Sequence, residues 1–248
     1  KILSKKHLTS SSVHGIMNTE RQKKGSLKMK DEKIMVLDVE TTNSLDDPLM
    51  YDIGFVVTNE KGEIFEKHSY IVAETFFDEE LMESAYFAEK IPQYWKDIKS
   101  KKRIIKKLVS IRFIIIDMVK KYGIKKIAAY NARFDYRAGN TTQRFLTSSQ
   151  YRFFFPYGME FMDILKLARN GLQNNEEYIS FCEENGYMTN HKIPKPRLTA
   201  EIVYKFLFDE KFEESHTGLE DALIEAQIMA YFLKQNPNAE WKLWDKVS

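Results

Sequence analysis

The chain has 248 residues, of which 43% are hydrophobic, enough to bury a core in one sizeable α/β domain or two small ones. Its 38 basic and 36 acidic residues leave a net charge of only +2, which excludes an overall polycation that gathers indiscriminately on nucleic acid or lipid. A single cysteine, Cys182, excludes a disulfide framework and a cysteine zinc cluster, no apolar run is long enough to span a bilayer, and the basic N-terminus lacks a signal peptide's apolar stretch, so a cytoplasmic protein without membrane contact is expected.

Residues 1–32 are polar and basic, with a hydroxyl-rich run from Thr9 to Ser12 and no apolar periodicity, and read as a flexible leader. Met29, just ahead of the first apolar segment, is a candidate natural start. Ile34-Met35-Val36-Leu37 then runs into Asp38-Val39-Glu40-Thr41-Thr42, the pattern of a buried strand that surfaces at its end. Strand side chains alternate, so Asp38 and Glu40 share a face. An isolated pair of this kind often just ends a strand in water, but two carboxylates held so close also repel unless a cation lies between them.

Asn43 to Pro48 is rich in turn formers, and Tyr51–Thr58 and Glu63–Val72 read as an antiparallel pair around the turn Asn59–Gly62. Asp78 to Tyr122 reads as helix, broken near Pro92 and ended by Gly123, with Ile104, Ile105, Leu108, Ile111, Ile115 and Met118 on one packing face. Seven basic residues between Lys96 and Lys107, opposed only by Asp97, form a solvated helix face or lie along a phosphate backbone.

Ile124 to Tyr130 reads as a short strand that delivers Asn131-Ala132-Arg133-Phe134-Asp135, followed by a helix to Leu146. An aromatic run from Tyr151 to Met162 ends at Asp163, the expected N-cap of a helix beginning at Ile164. Helices over Asn174–Gly186 and Leu198–Phe208 flank a polar connection, Met188–Arg197, containing two prolines. From Leu219 to Lys234 the apolar spacing is again helical, with Asp221 in the first turn and His216 in the loop ahead of it. Residues 237–248 form a tail whose Trp241 and Trp244 stand at helical spacing, expected as a docked final turn. The alternation of strands and helices predicts an α/β domain over 33–236, with a central mixed sheet flanked by helices.

Asp38, Glu40, Asp135 and Asp221 would thus come from separate elements to one sheet edge, and such a set of oxygen ligands suits hard divalent cations. Here the sequence resembles a known family. Asp38-Val39-Glu40-Thr41-Thr42, Asn131-Ala132-Arg133-Phe134-Asp135 and His216-Thr217-Gly218-Leu219-Glu220-Asp221 are similar, in order, to the three motifs of the DEDD exonucleases in their histidine variety, the proofreading-subunit-like branch of the ribonuclease H-like superfamily. The resemblance implies a ribonuclease H-like fold and a 3′→5′ exonuclease that releases nucleoside 5′-monophosphates from single-stranded DNA, with RNA or short oligonucleotides as the alternative substrate. It implies that Asp38, Glu40, Asp135 and Asp221 hold two Mg²⁺ or Mn²⁺ ions about 3.5 to 4 Å apart, with His216 as general base.

It further implies substrate contacts at Thr41, Thr42 and Phe134, a wedge at Leu45 in a loop that departs from the family pattern at Asn43-Ser44, and a loop fixed by side-chain hydrogen bonds of Asn131. Glu225, one turn beyond Asp221, either supports the acids from behind or faces solvent. The polar connection resembles stretches in exonuclease-like proteins of phages and Gram-positive bacteria, and its His191, Lys192, Lys195 and Arg197 are expected along the approach of the nucleic-acid backbone. A DNA polymerase or replication complex is a candidate partner beside the DNA or RNA 3′ end itself. Two other classes compete: a noncatalytic nucleic-acid-binding accessory module, and an interaction protein built on Trp241, Trp244 and Phe153-Phe154-Phe155.

Overall fold

The computed structural model describes residues 32–43 and 45–244. The leader therefore lies outside the described residues except for Glu32, whose carboxylate pairs with Lys126 at 2.7 Å, and so does the candidate start at Met29. Ten residues, Lys33–Thr42, form β1, followed by β2 (Leu49–Asn59) and β3 (Glu66–Val72) as an antiparallel meander. The turn between β2 and β3 closes because Asn59 Oδ1 accepts from the N–H groups of Lys61 and Glu63, while Gly62 takes the left-handed conformation at φ +80°.

The segment expected as one broken helix is more divided. It contains α1 (Ala73–Phe76), α2 (Glu79–Glu83), a single 3₁₀ turn, α3 (Ile91–Lys99), the strand β4 (Ile104–Lys106) and α4 (Leu108–Tyr122). Ile104 and Ile105 do not belong to the helical packing face; they pair with Tyr70 and Ile71 in parallel, and Ile104 is half exposed at the sheet edge. Two β-branched residues ahead of a helix fit either period, and it is the free edge of β3 that decides between them. Leu108, Ile111 and Ile115 are fully buried on α4, as their spacing predicts.

After α4 come β5 (Lys126–Ala129), α5 (Ala132–Leu146), β6 (Glu160–Asp163), α6 (Ile164–Leu172), α7 (Glu176–Glu184), α8 (Ala200–Leu207) and α9 (Gly218–Gln235). The six strands lie in the order β4-β3-β2-β1-β5-β6, with β3/β4, β1/β5 and β5/β6 parallel. The sheet is thus mixed and flanked by helices, as expected, and β1 is interior because β5 and β6 continue it beyond the meander. Asp163 caps α6 by accepting from Leu165 N–H at 3.1 Å.

Strand alternation sorts the core. Ile34 and Val36 pack with residues of α6, α8 and α9, whereas Met35, Leu37 and Val39 pack with α4 and α5 on the other face. Asp38 and Glu40 continue the parity of Ile34 and Val36, so they emerge toward α9. Trp241 is buried, as a docked tail requires, but the tail is extended and not a helical turn: Asp163 N–H donates to Trp241 O at 2.7 Å and Leu243 N–H to Phe161 O at 2.8 Å. The outer edge of β6 offers unpaired backbone groups, and satisfying them outweighs the weak helical spacing of two tryptophans. Among the described residues no helix is long and apolar enough to cross a membrane.

Candidate metal centre

Three of the acids converge. Asp38, Glu40 and Asp221 each offer a carboxylate oxygen, and these oxygens all lie within 4.8 Å of one another. Backbone contact between two glycines brings α9 to the strand end. A Cβ on Gly54 of β2 would stand 1.9 Å from Leu219 N, and one on Gly218 would stand 2.5 Å from Gly54 N and 2.9 Å from Asp38 O, so the first turn of α9 lies directly on β1 and β2. Opposite Glu40 stands Asp52, while Thr41 pairs with Met50, leaving Tyr51 as the extra residue of a bulge that ends regular pairing at the acids.

Asp221 is oriented by Thr217 N–H at 2.8 Å and the Ser215 hydroxyl at 3.2 Å. Asp135 lies in the first turn of α5, 3% exposed, where its own backbone and that of Val39 favour its charged form. Val36 is the last residue of β1 paired with β5, opposite Ala128, so Val39 lies beyond the β1/β5 ladder, on the side from which α5 approaches. Asp135 stands outside the tight group of three but within electrostatic reach of Asp38 and Glu40.

All four carboxyls are pushed above their ordinary range. Burial is the largest cause for Asp38, followed by the charges of Glu225, Glu40, Asp135 and Asp221. Burial likewise raises Glu40, with Asp221 and Asp52 adding to it. Burial lifts Asp135 to about 8 and Asp221 to about 7 against the hydrogen bonds that favour their charged forms. No positive side chain is among the largest influences on them, and among the described residues none of the four makes an ion pair. Carboxylates crowded together without an ion-pair partner, three of them buried and Asp38 half-buried, ionise together only with a cation among them, and an all-oxygen donor set suits Mg²⁺ or Mn²⁺. The residues present therefore fit the expected metal ions.

His216 is partly exposed, in the left-handed region at φ +52°, and stacks on Phe87 with ring centroids 4.0 Å apart and planes at 11°. Its Nδ1 lies 3.8 Å from Glu214 Oε2. Burial and the nearby charge of Lys90 hold its pKa below 6.5, so the imidazole is neutral and able to accept a proton near pH 7.

The expected substrate contacts divide. Leu45 is 62% exposed in the loop after β1, and Thr41 is buried beside Glu40 with its carbonyl accepting from Tyr86 N–H. Thr42 has no exposed surface, and its hydroxyl donates to Leu49 O at 3.3 Å. Phe134 packs into the core of the α4 and α5 face. Asn131 fixes its loop through the backbone and not through its side chain: it adopts the left-handed conformation at φ +64°, its N–H donates to Asp163 Oδ1 at 3.0 Å, and its side chain makes no capping bond. Arg197 is not with the acids but lines a separate cavity. Glu225 does not face solvent; it is 3% exposed and accepts from Tyr130 N–H, one turn behind Asp221.

Several residues of the site escaped the sequence reading. Arg103, taken there as one of a basic run, is 2% exposed. It donates to Asp52 at 3.3 Å, Ser69 at 2.8 Å, Asp97 at 3.0 Å and Glu220 at 2.6 Å. Asp52 in turn accepts from Gly218 N–H at 3.0 Å and the Tyr94 hydroxyl at 2.8 Å. This hub ties the start of α9 to β2, and Lys102 adds an exposed bridge to Glu220 at 2.9 Å, so Arg103 leaves the basic run for the core while Lys96, Lys99, Lys101 and Lys107 stay exposed as a solvated face would have them. Glu214, lifted to about 8 by burial and by Asp221, also borders the site. Only Gly54 carried a local signal, as a lone glycine inside an apolar strand.

The fold is a ribonuclease H-like α/β fold, with its mixed six-stranded sheet flanked by helices. Similar solved structures are exonuclease I from Methylocaldum szegediense, at a TM-score of 0.53 and 16% identity over 84% of this chain and 41% of that one, and a product-bound exonuclease I, at 0.52 and 13% over 83% and 44%. A zinc-bound E. coli exonuclease I in complex with single-stranded DNA matches at 0.50 and 13%, over 84% of this chain and 42% of that one. The chain spans about two-fifths of these exonuclease I chains, and at such identities the likeness establishes the fold alone. No model of a known protein family matches the sequence, and no curated protein does.

Proposed function

We propose that this protein is a metal-dependent 3′→5′ exonuclease of the histidine variety of the DEDD family, acting on single-stranded DNA. The observation that carries the reading is the convergence of Asp38, Glu40 and Asp221 within 4.8 Å, with Asp135 at their side and no ion-pair partner among the described residues, in the fold shared with exonuclease I. A binding module gains nothing from buried acids that repel phosphate, which disfavours the accessory-module reading.

Asp38, Glu40, Asp135 and Asp221 would hold two Mg²⁺ or Mn²⁺ ions. When bound, such ions supply a Lewis-acid clamp on the attacking and leaving oxygens of an in-line displacement. His216, neutral near pH 7, accepts a proton from the attacking water. The new bond forms between that oxygen and the terminal phosphorus, the bond from phosphorus to the 3′ oxygen of the preceding nucleotide breaks, and that oxygen takes a proton as the nucleoside 5′-monophosphate departs. The Arg103 hub and the Gly54–Gly218 contact keep Asp221 on the strand end.

A time course on 5′-labelled single-stranded DNA and the matching RNA tests the reading, with Mg²⁺ or Mn²⁺ and with chelator, comparing wild type with Asp38→Ala. The expected result is a ladder shortening from the 3′ end of DNA faster than of RNA, lost with chelator and in the variant. Equal shortening by Asp38→Ala, or none by wild type with either strand, overturns it.

A further inference from the structure

The connection between α7 and α8 is held in shape. Met188 and Pro196 form an isolated bridge, Thr189 N–H donates to Lys195 O at 2.8 Å, and Lys195 N–H donates to Thr189 Oγ1 at 2.9 Å. The Tyr178 hydroxyl fastens its end by donating to Arg197 O at 2.6 Å. Between this small hairpin and the C-terminal half of α6 lies a cavity of about 530 Å³, lined by Arg169, His191, Lys195 and Arg197, with Gln173 and Thr189 between them. No Asp or Glu lines it, and none of those four basic side chains has a carboxylate partner among the described residues. Lys192, expected in the same set, does not line it.

Its walls are tied to the candidate metal centre. Leu165, on one wall, and Asn131 both donate their N–H groups to the Asp163 carboxylate. Leu198, on the other, accepts from the Tyr130 hydroxyl at 2.6 Å. Tyr130 and Asn131 are the two residues that lead from β5 into the helix bearing Asp135. The cavity therefore adjoins the end of the sheet where the acids emerge, on the β6 side.

We propose that this cavity is a phosphodiester-binding subsite that holds the backbone of a single strand upstream of its 3′ end, with Arg169, Lys195 and Arg197 as the phosphate contacts. It builds on the exonuclease reading. The acids at the metal centre repel a bare strand, and cations fixed beside them retain it by counterion release, without reading its bases. Arg169 comes from α6, the other two from the hairpin, so the set is assembled by the fold and not by one run of sequence.

The triple variant Arg169→Gln, Lys195→Gln, Arg197→Gln changes only exposed side chains and is expected to fold. On a strand of about ten nucleotides its KM should rise roughly tenfold or more, and the slope of log binding constant against log salt should shrink by about 2, at roughly 0.7 per phosphate contact on single strands. Cleavage of a dinucleotide, whose single phosphodiester is the scissile one and leaves no upstream phosphate for the cavity to hold, should be unchanged. Equal KM values for wild type and variant on the longer strand overturn the subsite, as does an equal loss on the dinucleotide. If inorganic phosphate protects wild type but not the variant against heat while the longer strand's KM does not change, the cavity holds free phosphate and the subsite is likewise overturned. If wild type cleaves neither substrate, the exonuclease reading fails, and the salt slope of strand binding still decides the subsite.

Discussion

Thermal unfolding of the metal-free protein probes the acid cluster without any substrate. Burial raises Asp221 from 3.8 to about 7 and Asp135 to about 8, so the native state keeps protons that the unfolded chain gives up near pH 4. A pKa raised on folding favours the native state below the unfolded value, and that advantage is lost as pH rises to the folded value. From about pH 5 to pH 7 Asp221 alone weakens the fold by roughly 3 kcal/mol, at about 1.4 kcal/mol per pH unit, a ceiling because neighbouring carboxyls share the protons. For a chain of this size that lowers Tm by about 6 to 12 °C. Melting curves followed by circular dichroism in chelator, from about pH 5 to about pH 8, should show this fall. Added Mg²⁺ or Mn²⁺ should restore Tm at the upper pH and do little at the lower, where protons compete for the same oxygens. Asp221→Asn should flatten the slope whatever its effect on absolute stability. A metal-free Tm that is level or rises with pH, or a variant with the wild-type slope, refutes the reasoning.

Because His216 is held below 6.5, kcat/KM should fall on the acid side with a midpoint below that value, and His216→Asn should lose about 10²- to 10⁴-fold in kcat while strand binding persists; an unchanged kcat refutes the role. Arg103→Met leaves Asp52, Asp97 and Glu220 without their shared cation and should cost about 3 to 5 kcal/mol in urea denaturation, whereas a loss below about 1 kcal/mol refutes the hub. Gly54→Ala places a methyl group 1.9 Å from Leu219 N and should push α9 off the strand end, removing both activity and the rise in Tm on adding metal; retention of either at the wild-type level refutes the close-packed contact.

The acids illustrate what a linear pattern can carry. Alternation along Ile34 to Glu40 put Asp38 and Glu40 on one face, helical spacing after Leu219 put Asp221 in a first turn, and both placements hold because each depends on a repeat of two or 3.6 residues within one element. The mixed sheet with flanking helices followed from the same periodicities. Where two periods fitted equally, as at Ile104-Ile105 and at Trp241 with Trp244, the choice fell to an open strand edge that no local pattern announces.

Residue chemistry and, wherever one period alone fits, element type were therefore set by the sequence itself: which carboxylates exist, which strand and helix ends bear them, and the class of fold that those elements build. The tertiary structure alone decided which of them meet. It buried Arg103 among three carboxylates, seated Gly218 on Gly54, turned Glu225 inward, enclosed Thr42, and gathered Arg169 with Lys195 and Arg197 around one cavity. Asp52 and the Gly218 N–H that it holds lie 166 residues apart, and so long a separation leaves no periodic trace. Such contacts exist only after the core has closed, because the burial that makes an unpaired charge costly, and so selects its partner, is a property of the folded whole.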